Sequence, residues 1–210
     1  MSATESISIG ANTAFKNPLI FVPQLIPLVI ELIFSYLAYY VFPTEYVIPT
    51  WVGPVVHKVP NYTIMMVGGF IASIIGFITA CMVVDMANDA LIGGRVNMSK
   101  SLNIVLGRIG TLIVAAIIAA ILAITIILLP IAIFIPIIAI IERLDAIEST
   151  KRAFSFVSRN LGEVIIFIII VIVVSIILAF IPIIGRALIW LANVIFTVAA
   201  VDLYLKRSRA

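Results

Sequence analysis

The sequence is poor in the residues on which most enzymes rely. It has one cysteine and one histidine in 210 residues, and charged residues make up only 11% of the chain. A single cysteine excludes an internal disulfide framework, and no Ser-His-acid set, metal-ligand cluster or glycine-rich phosphate loop occurs. We therefore expect a protein that is not an enzyme and that uses no metal and no cofactor.

Apolar residues are what the chain has in excess. They make up 64% of it, against about 45–50% in soluble domains. A soluble domain of this length has no interior large enough to hide so much apolar surface, so lipid must solvate it. The composition predicts an all-α integral membrane protein that crosses the cell membrane several times.

The apolar runs divide into predicted spans of about 20 residues, the length that crosses the hydrocarbon core. The stretch Ile109–Ile141 is ambiguous, because it is long for one span and short for two, and Pro130 and Pro136 interrupt it. A second break is predicted at Ile181–Arg186. Treating the ambiguous stretch as a hairpin gives six spans, at 18–42, 62–84, 109–129, 131–147, 161–181 and 187–205.

Charge favours the hairpin. Six spans place eleven of the thirteen basic residues on one side and leave only Lys58 and Arg186 on the other, whereas five spans divide them five against eight. The positive-inside rule then predicts a single six-span domain, residues 1–210, with both termini in the cytoplasm. The net charge of +3 reflects this orientation. No basic soluble face suggests a nucleic-acid partner.

The segments between the spans differ in character. The outer segment 43–61 carries four prolines and cannot be regular helix, so we expect an interfacial loop or a lid over a site between helices. On the cytoplasmic side, 142–157 is predicted to be an amphipathic helix at the lipid head groups, with Leu144, Ile147, Phe154 and Val157 on one side. Residues 89–107 and 5–17 are weaker versions of it.

These interfacial stretches suggest an internal repeat. Each ends in a basic residue (Lys16, Arg108 or Arg159), and each is followed by a predicted pair of spans. Three units, each an interfacial helix and a hairpin, would account for the whole chain.

Two short motifs resemble a known group of proteins. The segment Ala146–Gly162, AIESTKRAFSFVSRNLG, resembles a segment of poorly characterised multi-pass membrane families of archaea and bacteria, and of the membrane domain of some glycerophosphodiester phosphodiesterases. The segment Thr13–Phe21 is similar to the entry of their first span. The resemblance implies a six-span membrane module. The sequence has no counterpart of the soluble phosphodiesterase domain, so that chemistry does not carry over.

Glu31 is the one ionisable residue predicted to lie near the middle of the bilayer. Gln24 and Ser35 fall on the same side of its helix, and Ser73 and Asn193 lie at comparable depth on other spans. A carboxyl group there is either a proton- or cation-coupling site or a neutral, hydrogen-bonded packing element. The first alternative makes the protein a small transporter or channel with Glu31 in its pathway.

The leading hypothesis is instead a non-enzymatic membrane module that organises lipids or a partner protein through its cytoplasmic helices. Lys151, Arg152 and Arg159 are the predicted contacts with anionic lipid. Small residues repeat every four positions along 68–76, which predicts close helix packing within the chain or in a homo-oligomer. Three acidic residues at span ends are expected to be ordinary exposed charges: Asp85, Glu163 and Asp202.

Overall fold

The computed structural model describes residues 2–181 and 185–208, which are predominantly helical. Residues 182–184 of the turn predicted at 181–186 lie outside the described residues. Four single helices in the described part are long and apolar enough to cross a membrane: Pro18–Val41, Tyr62–Leu91, Leu161–Ala179 and Ala187–Ser208. A fifth candidate span arises if two consecutive helices, Met98–Gly107 and Ile109–Ala123, are counted as one, although the chain bends by 76° between them at Arg108. These lengths and compositions agree with a helical membrane protein.

The chain divides into two compact units. The smaller is Leu25–Phe77, and the larger comprises the described parts of 1–24 and 78–210. The helices, in chain order, are α1 (Ala3–Lys16), α2 (Val22–Tyr36), α3 (Tyr62–Leu91), α4 (Met98–Gly107), α5 (Ile109–Ala123), α6 (Leu129–Ile141), α7 (Ala146–Arg159), α8 (Leu161–Ala179) and α9 (Gly185–Ser208).

The smaller unit contains the only strands among the described residues, which are otherwise helical as expected of an all-α membrane protein. The outer segment is an antiparallel β-hairpin of β1 (Thr44–Thr50) and β2 (Gly53–Val59). Its valines and Ile48 favour extended backbone. Pro49 pairs with Pro54 beside the turn, where neither residue has an N–H to leave unpaired. The segment is non-helical as predicted, but it is regular structure.

In the larger unit, the stretch 109–141 folds as two helices that pack against each other, α5 and α6. The chain reverses at 124–128, slightly before the predicted position, and Pro130 lies in the first turn of α6, where its missing N–H costs nothing. By helix geometry the two arms are about 22 and 20 Å long. Both are shorter than the hydrocarbon core, which is about 30 Å thick.

The three helices predicted to be interfacial share one local design, which supports the repeat. Each begins with a polar side chain that accepts a hydrogen bond from the backbone N–H three residues later: Ser2, Asn97 and Asp145. The fourth residue after each cap is a fully buried serine: Ser6, Ser101 and Ser149. Capping fixes the start of each helix, so the serines occupy equivalent positions on the buried face.

Each of these helices lies against another helix. The side chain of Ser101 on α4 bonds Asp85 near the end of α3, α7 packs on α6, and α1 packs on α9. The contact of α1 is close, because a Cβ atom at Gly10 would lie 2.8 Å from the backbone nitrogen of Ala199. Helix α1 therefore covers part of α9.

Candidate functional site

The predicted apolar side of α7 differs from the face that is buried. Val157 is 3% exposed but Ile147 is 62% exposed, so only part of the predicted side is packed against protein. The helix begins only at Ala146, after its cap Asp145, and its small residues allow close packing on α6. The buried face is Ala146, Ser149, Ala153, Phe156 and Val157. The outward edge carries the three predicted lipid contacts, Lys151, Arg152 and Arg159, all exposed.

An aromatic cluster joins α6, α7 and α9 beneath this edge. The ring of Phe156 lies 4.8 Å from that of Phe134 and 4.9 Å from that of Tyr204, centroid to centroid. The hydroxyl of Tyr204 donates a hydrogen bond to Glu142 at the end of α6. Such tilted and edge-on rings stabilise helix contacts beyond the area they bury. These contacts hold the three helices together.

Two arginines near this aromatic cluster form ion pairs with carboxylates. The Nε of Arg152 lies 3.4 Å from Glu142, and the Nη2 of Arg207 lies 3.2 Å from Glu163. Glu163 also accepts the backbone N–H of Ala3, at 2.6 Å, and so connects α1, α8 and α9. Its place at the start of α8 suits a negative charge. Glu163 is thus a connecting residue, which the expectation of an ordinary exposed charge missed.

The guanidinium groups surround a cleft of about 280 Å³. Its lining residues come from α7, the residue after it and the last turns of α9: Arg152, Ser155, Phe156, Arg159, Asn160, Tyr204, Arg207 and Ser208. A hydrogen bond with Tyr204, together with the charge of Glu142, raises the pKa of Arg152 above its ordinary value. The guanidinium therefore stays charged, and the cleft can hold an anion.

Two acidic residues expected to be exposed are buried instead. Asp85 is 7% and Asp202 is 2% exposed. Asp85 accepts the hydroxyl of Ser101 at 2.6 Å, and Asp202 lies 2.7 Å from the ammonium group of Lys206, one turn along α9. Buried carboxylates need such partners. A carboxylate four residues before a lysine was a local signal for the second pair, whereas the contact of α4 with α3 left none.

The polar set around Glu31 is divided between the two units. Glu31, Ser35 and Ser73 lie in the smaller unit, and Gln24 and Asn193 lie in the larger. The hydroxyl of Ser73 donates to the carbonyl of Gly69 in its own helix. Gln24 is buried, and its Oε1 accepts no hydrogen bond among the described residues. Nothing in these contacts assigns a chemistry to Glu31.

No grouping of three or more potential metal ligands occurs within 2–181 and 185–208. No protein-family model, curated protein or solved structure matches the chain.

Proposed function

We propose that the protein is a non-enzymatic, multi-pass protein of the cell membrane whose cytoplasmic helices organise anionic lipid or a membrane-protein partner. The observation that supports it is the outward edge of α7, where Lys151, Arg152 and Arg159 are exposed while the opposite face is packed on protein. Basic side chains held in this way attract anionic head groups, by about 1 kcal/mol each near the surface.

The topology that goes with this proposal has six crossings and both termini in the cytoplasm. Four crossings correspond to the long apolar helices, and the α5–α6 hairpin supplies the other two. Because the arms of the hairpin are short, the bilayer must thin locally around it, at a modest cost in free energy. This topology places α1, α4, α7 and the basic cleft at the cytoplasmic surface.

The test is to replace Lys151, Arg152 and Arg159 together by glutamine and to measure which lipids surround the purified protein. We expect the enrichment of anionic over neutral lipid to fall, while Lys58→Gln on the β-hairpin leaves it unchanged. Thermal unfolding checks that the fold is intact, because Arg152 also contacts Glu142. Unchanged enrichment in a folded triple variant would remove the proposal.

The rival function, a proton- or cation-coupled pathway through Glu31, has a distinct signature. Reconstituted protein would then show a proton or cation flux that Glu31→Gln abolishes without loss of thermal stability. Glutamine keeps the shape of glutamate but cannot gain or lose a proton. We expect no such flux.

A further inference from the structure

The basic cleft between α7 and α9 has one arginine whose charge is not offset. Arg152 and Arg207 each lie beside a carboxylate, Glu142 and Glu163, which orients the guanidinium from behind. Arg159 forms no hydrogen bond or ion pair among the described residues, and it is exposed. Three positive charges against two negative ones leave the cleft with about one unit of positive charge, the complement of a singly charged phosphodiester.

The other lining groups suit a phosphate rather than a cation. None of the described residues that line the cleft is acidic, and the hydroxyl of Ser155 is a further donor. Arginine is favoured where a phosphate is held by paired N–H donors in a fixed geometry. The volume of about 280 Å³ lies just below the range of about 300–1,000 Å³ that holds drug-sized ligands. A head group fits this volume.

The position along the chain favours a lipid over a soluble phosphate. Arg159 ends α7, Asn160 follows, and the apolar helix α8 begins at Leu161. In the proposed topology the cleft therefore lies where a span enters the bilayer, at the depth of the head groups. Free phosphate has the same binding chemistry as a lipid phosphate, but it is not confined to the depth of the head groups.

We propose that the cleft formed by Arg152, Arg159 and Arg207 is a discrete binding site for the phosphate of an anionic phospholipid head group. This inference rests on the proposed lipid-organising function and narrows it from a basic surface to one site. Arg152 and Arg207 are the fixed contacts. Arg159 supplies the charge that the bound phosphate neutralises.

A matched pair of variants separates a site from a diffuse basic surface. Arg159→Gln and Lys151→Gln each remove one exposed positive charge from α7, but only Arg159 lines the cleft. The full-length protein, in neutral detergent at physiological salt, is titrated with phosphatidylglycerol, and the first bound lipid is followed by native mass spectrometry. Inorganic phosphate forms a second arm, and thermal unfolding verifies each fold.

We expect Arg159→Gln to weaken the first binding event about tenfold, the scale of one lost charge-assisted contact. Lys151→Gln should weaken it about twofold or less, because salt screens a charge outside the cleft. Arg159→Lys should fall between them, since lysine keeps the charge but not the paired donors. Wild-type protein should prefer phosphatidylglycerol to phosphatidylcholine, and excess inorganic phosphate should not displace the lipid.

The outcomes against the inference are distinct from those against the proposed function. Equal losses in the two glutamine variants would overturn the site but leave a lipid-attracting surface. Displacement of the lipid by inorganic phosphate would identify a soluble phosphate site and overturn the lipid assignment. A wild-type protein with no preference for phosphatidylglycerol would overturn both.

Discussion

A buried serine recurs at the same position of α1, α4 and α7, but its surroundings differ. The hydroxyl of Ser101 donates to Asp85, whereas the hydroxyls of Ser6 and Ser149 have no hydrogen-bond partner among the described residues. An unpaired buried hydroxyl costs free energy, and a hydrogen bond to a buried carboxylate is stabilising. A serine at the same distance from the helix cap is therefore expected to stabilise the fold at Ser101 and to destabilise it at Ser6 and Ser149.

Alanine substitution tests this difference. Ser101→Ala should lower the stability by about 1–3 kcal/mol, because it removes a donor from the buried carboxylate of Asp85. Ser149→Ala removes a hydroxyl that bonds nothing, so it should be neutral or stabilising. Thermal unfolding of both variants in the same detergent measures the difference. A loss at Ser149 equal to that at Ser101 would contradict the assigned contacts.

The burial of Asp85 and Asp202 shows where residue patterns stop being informative. Their place near the end of an apolar run was evident from the sequence, and charges at such positions are usually exposed. Their burial depends on packing between helices, of α4 on α3 for Asp85 and of α1 on α9 for Asp202. Local periodicity carries no information on that pairing. The basic residues of α7 were identifiable because they lie in one short segment.

Between elements, one glycine controls the approach of α2 and α3. A Cβ atom at Gly68 would clash with the side chain of Phe34, whereas one at the adjacent Gly69 would meet nothing within 4 Å. The small-residue spacing along 68–76 predicted such a close approach. Here the sequence located the contact but not its partner helix.

These two neighbouring glycines provide a matched test. Gly68→Ala should destabilise the protein by about 1–3 kcal/mol, since the two helices must move apart or the side chain of Phe34 must leave its preferred rotamer. Gly69→Ala should be neutral or stabilising by up to about 1 kcal/mol through helix propensity. Melting temperatures measured side by side decide it. The packing described for Phe34 would be wrong if the two variants melted together.

The α5–α6 hairpin marks a limit of the charge argument. A hairpin returns the chain to the side from which it started, whether its arms cross the bilayer or only enter it. The asymmetry of basic residues therefore argues against a single crossing by 109–141, but it carries no information on how deeply the two arms enter the bilayer.

The β-hairpin of the outer segment was missed for another reason. The four prolines of the segment 43–61 outweighed its β-branched residues, although two of them, Pro49 and Pro54, are paired beside the turn, where proline is compatible with strands.

For the whole molecule, cysteine accessibility tests the proposed topology. Against a background of Cys81→Ala, we expect single cysteines at Ser2, Ser99 and Ser158 to react only from the cytoplasm, and one at Val52 only from outside. A cysteine at Thr125, in the reversal between α5 and α6, should react from outside more slowly than Val52, because the arms are short. Opposite sidedness of Ser99 and Ser158 would overturn six crossings. Thr125 unreactive from both sides would make the hairpin re-entrant.

The packing of α1 on α9 has a consequence for the order of assembly during synthesis. Gly10 lies close to the backbone of Ala199, which is synthesised much later than α1. Part of the buried face of α1 therefore stays uncovered until α9 has been made. Neighbouring helices such as α5 and α6 can pair as soon as both exist, so the contact of α1 with α9 forms later than theirs. A chain stopped before α9 would lack this contact.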